Sequence, residues 1–181
     1  TAADSLSALW TPRGQLASAN APGHHDSVRI VRLPLRYLPG AEVLFPLLRR
    51  LTWWLSHFVP SQAMKLSRFV PWVPGLPQAL EEVDADLLFA WNVTFEGLTS
   101  AVAAYATRTG KPWFAVPLLH LANPRFYTMP HQMSLLRRAS CVLAQTPTER
   151  HFLVREGVEP ARVRIVSPGV DPHAPGDADG D

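Results

Sequence analysis

The sequence predicts an α/β domain: a Rossmann-like parallel sheet with helices on both faces. Three observations lead there. Short apolar runs at 87–91, 113–119, 141–144 and 163–166 lack the polar alternation of a sheet with one wet face. Helical segments separate the runs, which is the signature of repeated βαβ units. A length of 181 residues with 47% hydrophobic content also suffices for one domain that buries its own core without disulfides or metals.

Taken in order, residues 1–27 collect Pro, Gly, Ser and Asn without a sustained period and read as loop, with one helical turn near 6–10. His24 and His25 are adjacent, so they point apart, and no third ligand stands at metal spacing; they read as solvated loop histidines. Residues 28–35 alternate Val and Ile with Arg29 and Arg32 and stop at Pro34, a strand near a sheet edge.

Residues 36–83 form a Trp- and Pro-rich insertion. Pro46, Pro60, Pro71, Pro74 and Pro77 should cut it into helices of roughly 10–14 residues. Glu42, Arg49, Arg50 and Thr52 interrupt any run of the about 20 apolar residues that a membrane span needs. Over 41–74 two readings stand. Trp53, Trp54 and Phe58 beside Arg49, Arg50, Lys65 and Arg68 could face acidic lipid as an interfacial surface. Alternatively, the helix is buried against the sheet with a rim of snorkelling arginines.

The strand at 87–91 leads to Asn92, which with Thr94 is a candidate cap for helix 95–109, stopped by Gly110. Gly97, Ser100, Ala101, Ala103 and Ala104 give that helix a small face for close packing on the sheet. Strand 113–119 ends in His120. The carboxyl ends of strands line the ligand crevice of such sheets, so a histidine emerging there is placed for chemistry near neutral pH. The following polar loop, 122–132, offers Asn123, Arg125, Tyr127 and His131, with Arg125 suited to a phosphate or carboxylate. Cys141 reads as a small buried core residue of the next strand.

Thr146-Pro147-Thr148-Glu149 is a capping box that opens helix 147–156. Its free N–H groups also offer an anion site in the crevice. Gly157 ends the helix. Gly169, in Ser167-Pro-Gly-Val-Asp171, permits a tight turn after the last strand. Residues 172–181 read as a disordered tail or the start of an interdomain linker.

The order of these pieces resembles the N-terminal, acceptor-side domain of GT-B glycosyltransferases. The run Arg138-Ala-Ser-Cys-Val-Leu-Ala-Gln-Thr-Pro-Thr-Glu-Arg150, then Gly157-Val, then Arg162-Val-Arg-Ile-Val-Ser-Pro-Gly-Val-Asp171 is similar to the A-D-x-V-x-A-x-S-x-x-x-R … G-V … N-G-V-D pattern of family 4. Here Thr146 stands for the usual Ser, and Ser167-Pro168 for the usual Pro-Asn. The resemblance implies a retaining transfer of a hexose from a UDP- or GDP-type nucleotide-sugar to a sugar or lipid-linked acceptor, with no metal cofactor. It implies that His120 faces the transferred sugar, and that Gly169 and Asp171 lie at a donor-proximal hinge between domains. Asn92, Asn123, Arg125, Thr146 and Arg150 are the candidate acceptor-binding residues. It further implies that a first βαβ segment precedes residue 1, that a donor-binding domain follows residue 181, and that this piece alone is inactive.

A different class of function, a non-catalytic Rossmann-like binding module, fits the same scaffold. A formal net charge of +2 provides no footprint for nucleic acid. One cysteine and no basic, apolar leader suggest a cytoplasmic chain, with peripheral contact at the inner membrane face if 41–74 meets lipid.

Overall fold

The computed structural model describes residues 23–25, 28–167 and 169. Four strands, β3 (Leu88–Trp91), β4 (Trp113–Val116), β5 (Cys141–Ala144) and β6 (Val163–Ile165), form a parallel sheet in the order β3-β4-β5-β6. Leu88 pairs with Trp113, Ala115 with Val142, and Val142 with Val163, so these residues share one face of the sheet. Helices α4 (Glu96–Thr109), α6 (Pro130–Leu136) and α7 (Pro147–Arg155) supply the connections, together with the short α5 (Pro124–Tyr127). The Rossmann-like α/β architecture expected from the apolar runs is therefore present.

The helices cover one face of this sheet. Each connection steps to the next strand in the same direction, and right-handed crossovers then put every helix on the same side. Leu88, Ala90, Trp113, Ala115, Val142, Ala144 and Val163 pack there against Val102, Ala103, Tyr105 and Ala106 of α4, Met133 and Leu136 of α6, and Leu153 of α7. Phe89, Trp91, Phe114, Cys141 and Leu143 point to the other face, and Trp91 is 60% exposed. The expected second helical layer is not seen among the described residues, because the strand order never reverses. Cys141 is accordingly half-buried on this open face rather than in the core, and burial pushes its thiol pKa up, against a smaller opposing effect of Arg164.

The insertion differs more from its expected form. Helix α1 (Ala41–Phe58) runs 18 residues straight through Pro46. Pro46 has no backbone N–H to donate, so the helix continues through it with one donor fewer in that turn. Pro60 and Pro77 fall in the first turns of α2 (Pro60–Ser67) and α3 (Leu76–Glu82), where a proline starts a helix. The strand expected over 28–35 is the short β2 (Val28–Ile30), paired antiparallel with β1 (Gly23–His25) apart from the main sheet. Residues 1–22, Asp171 and the tail 172–181 lie outside the described residues.

Gly97, Ser100, Ala101 and Ala104 of α4 face the connection between α2 and α3, not the sheet as expected; only Ala103 of that group enters the core. The Gly97 N–H donates to Val70 O at 2.8 Å. A Cβ at Gly97 would fall well inside contact distance of Pro71 O and 2.8 Å from Arg68 O, both rigid backbone atoms. Gly97→Ala improves helix propensity by about 1 kcal/mol. Forcing this contact apart costs typically 1–3 kcal/mol, occasionally more. Urea denaturation should therefore show a net loss of stability, and an unchanged or higher midpoint would contradict this packing.

Candidate functional site

The site is organised by a carboxylate at the start of α4. Glu96 is fully buried and accepts three side-chain hydrogen bonds: from Arg49 Nη1 at 2.6 Å, Gln132 Nε2 at 2.7 Å and His131 Nε2 at 3.0 Å. A buried carboxylate is tolerated only when paired and hydrogen-bonded in this way, and its place in the first turn of a helix adds the favourable end of the helix dipole. On its other side His131 meets Ser56: its backbone N–H donates to Ser56 Oγ at 3.1 Å, and Nδ1 lies 2.9 Å from the same oxygen. The arrangement closes if the Ser56 hydroxyl donates to Nδ1 and Nε2–H donates to Glu96. Helices α1, α4 and α6 are thereby joined at one point. Residue 131, expected in an exposed loop, is instead a buried helical residue.

Gln132 carries this cluster outward. Its Oε1 accepts from Met129 N, and its Nε2 also donates to Phe126 O at 2.8 Å, which pins the α5 turn. The Arg49 guanidinium stacks over the Phe126 ring at 5.3 Å, and that of Arg125 over Trp53 at 5.7 Å. Two cavities meet at Arg49 and Phe126. One, of about 260 Å³, is bordered by Asn92, Thr94, Asn123 and Tyr127; the other, of about 510 Å³, by Arg50, Trp53 and Arg125. The second gathers three guanidinium groups among aromatic rings, a setting for an anionic group carried on an apolar or ring-shaped body.

His120 is exposed beyond the tip of β4 and shares a hollow of about 430 Å³ with Leu118, Gln145, Thr146 and Glu149. Its ring lies 4.8 Å from that of Tyr127, so the histidine hollow adjoins the asparagine cavity across one aromatic contact. Thr146 caps α7 as expected, accepting from Glu149 N at 3.1 Å. The Glu149 carboxylate does not complete the box on Thr146. It accepts from Gln145 N at 2.6 Å and from Leu119 N at 2.9 Å, tying the loop that carries His120 to the start of α7.

Backbone strain falls on the same rim. Among the described residues, Asn92 (φ 68) and Leu118 (φ 52) are the non-glycine residues with positive φ; Asn92 follows β3 directly and Leu118 lies two residues past the end of β4. Asparagine tolerates that region; leucine does so only when its surroundings hold it there. Asn92 Oδ1 accepts from Thr94 N and Thr94 Oγ1, at 3.0 and 2.7 Å. It therefore shapes the turn before α4, whereas the N-cap position itself, Phe95, receives no side-chain cap.

The structure thus brings Asn92 and Asn123 into one cavity, Arg125 into the next, and His120 with Thr146 into the adjoining hollow. Arg150 is half-buried on α7 and borders none of the three. Gly169 follows β6 at the same end of the sheet, where Ser167 Oγ lies 3.4 Å from Gln145 O. Sequence reasoning missed Glu96, the inward role of Arg49, and the cross-link by Glu149. The first two are separated by 47 residues, so no local spacing could have shown them.

Two substitution experiments follow. Arg49→Met and Glu96→Leu should each cost about 3–5 kcal/mol by stranding a buried charge, with the double variant losing far less than the sum. Additive losses in urea denaturation would show that the pair is not coupled. Thr52 Oγ1 is buried on the inward face of α1 with no hydrogen-bond partner. Thr52→Val should accordingly raise stability by about 1 kcal/mol, and a loss of that size would mean the hydroxyl is satisfied in solution.

A scan against protein-family models gives no match for this chain, and a comparison with curated proteins gives none either.

Proposed function

We propose that this chain is the acceptor-side domain of a retaining, nucleotide-sugar-dependent glycosyltransferase of the GT-B kind. The observation that carries the reading is His120: an exposed imidazole beyond the carboxyl end of a parallel strand, on a loop held by Glu149, beside Tyr127 and an open helix start. That is where an open α/β sheet binds its ligands. Residues 138–167, the described part of the run that resembles family 4, pass through the same rim.

In this reading His120 hydrogen-bonds a hydroxyl of the transferred sugar. Asn92 offers its amide N–H groups and Asn123 both an amide donor and an acceptor to the acceptor sugar, and Arg125 takes an acidic group on the acceptor. Rate enhancement comes mainly from holding the acceptor hydroxyl against the anomeric carbon in a closed, water-poor cleft. The nucleotide and diphosphate of the donor belong to a second domain, so the chain contributes position and no covalent intermediate. No metal is required of these residues.

Saturation-transfer NMR with neutral sugars, sugar phosphates and free UDP or GDP tests the assignment. Sugars and sugar phosphates should bind in preference to the nucleotides. His120→Ala and Arg125→Ala should each weaken sugar-phosphate binding about tenfold, the equivalent of 1.4 kcal/mol, without a change in melting temperature. Nucleotide binding as tight as that of the sugars, or indifference to both substitutions, would leave the binding-module reading in place.

A further inference from the structure

Helix α1 is built inside out. Its inward face carries Arg49, Thr52 and Ser56, all buried, and it is turned inward because Arg49 serves Glu96 and Ser56 serves His131. Its outward face carries Val43, Leu47, Leu51, Trp54 and Phe58, at steps of four, four, three and four residues, one continuous stripe of a helix. Val43 is 68% exposed, Leu47 57%, Trp54 53% and Phe58 68%, and Leu44 and Val59 extend the same apolar surface. Apolar residues scattered singly on a surface need no partner, but an aligned stripe over four turns of helix does.

We propose that this stripe seats the domain on an anionic lipid bilayer. Charge selects that occupant. Glu42 is the only carboxylate between residues 41 and 68, against Arg49, Arg50, Lys65 and Arg68, and Arg49 alone of these is paired to Glu96. Arg50 flanks the stripe between Leu47 and Leu51 on the side of the cavity it shares with Arg125 and Trp53. With the stripe in the acyl boundary, those two guanidiniums sit at headgroup depth, where phosphates are densest, and Trp53 and Trp54 occupy the interfacial level that tryptophan favours. The helix lies in the plane of the surface: among the described residues no helix is long and apolar enough to cross a membrane. This inference rests on α1 and the basic side chains around it and does not depend on a sugar-transfer role.

Flotation of the full chain with phosphatidylcholine vesicles, with and without phosphatidylglycerol, tests it. The chain should float with the anionic vesicles, less so at high salt, and weakly with neutral ones. Leu47→Ser and Phe58→Ser lie on the exposed face, so the melting temperature should hold while vesicle affinity falls about tenfold or more for each. Arg50→Gln should cost about fivefold on anionic vesicles and nothing on neutral ones. Three results would overturn the proposal: no flotation of the folded wild-type chain, flotation that the stripe substitutions leave intact, or a dimer by light scattering that the same substitutions dissolve. The last would assign the stripe to a second copy of the chain.

Discussion

One buried carboxylate constrains more of this molecule than any other group. Glu96 has no route to solvent, so its charge must be matched by the protein, and the three donors that match it come from α1 and α6. The consequences spread outward along covalent structure. Because Arg49 must face inward, the helix that carries it turns its apolar side out. Because Gln132 is held by Glu96, it presents its second N–H to Phe126 O and fixes the α5 turn that carries Arg125. The groove and the exposed stripe are thus two results of a single desolvation requirement.

The second buried carboxylate does similar work one strand further along. Glu149 spends both oxygens on backbone N–H groups of different segments, at Gln145 and Leu119. The positive φ at Leu118, directly before this bond, is the sort of conformation that persists only when neighbouring contacts over-determine it. Both acidic groups therefore act as anchors beneath the rim. The groups left open at the rim are amides, imidazole, hydroxyls and guanidiniums, a set suited to polyhydroxylated and anionic ligands.

The strands, α4 and α7 were legible because their signals are local: apolar runs, Thr146-Pro147 at a helix start, Gly110 and Gly157 past helix ends. The coverage of the sheet was not, since apolar residues on both strand faces indicate what could be buried, whereas strand order decides what is. Periodicity in α1 shows a stripe but not its direction. The default assumption turns apolar residues inward, and here a polar cluster assembled from distant segments reverses it. The same non-locality hid the hub. His120, Asn123 and Arg125 could be named from position after a strand, but the residues that hold them in place could not.

A buried ionic cluster is a poor device for stability alone. Well-packed apolar side chains of similar volume are often as stabilising or more so, since they avoid desolvating charge. An apolar junction among α1, α4 and α6 would still bring the helices together. It would not donate a hydrogen bond to Phe126 O, nor hold a guanidinium 5.3 Å over that ring, where two cavities meet. Direction is what hydrogen bonds add and hydrophobic contact does not. The cluster is therefore best understood as placing the α5 turn and its arginine at the rim. An apolar replacement of Arg49, Glu96, His131 and Gln132 that folded stably and still bound ligand at Arg125 would remove that reason for its presence.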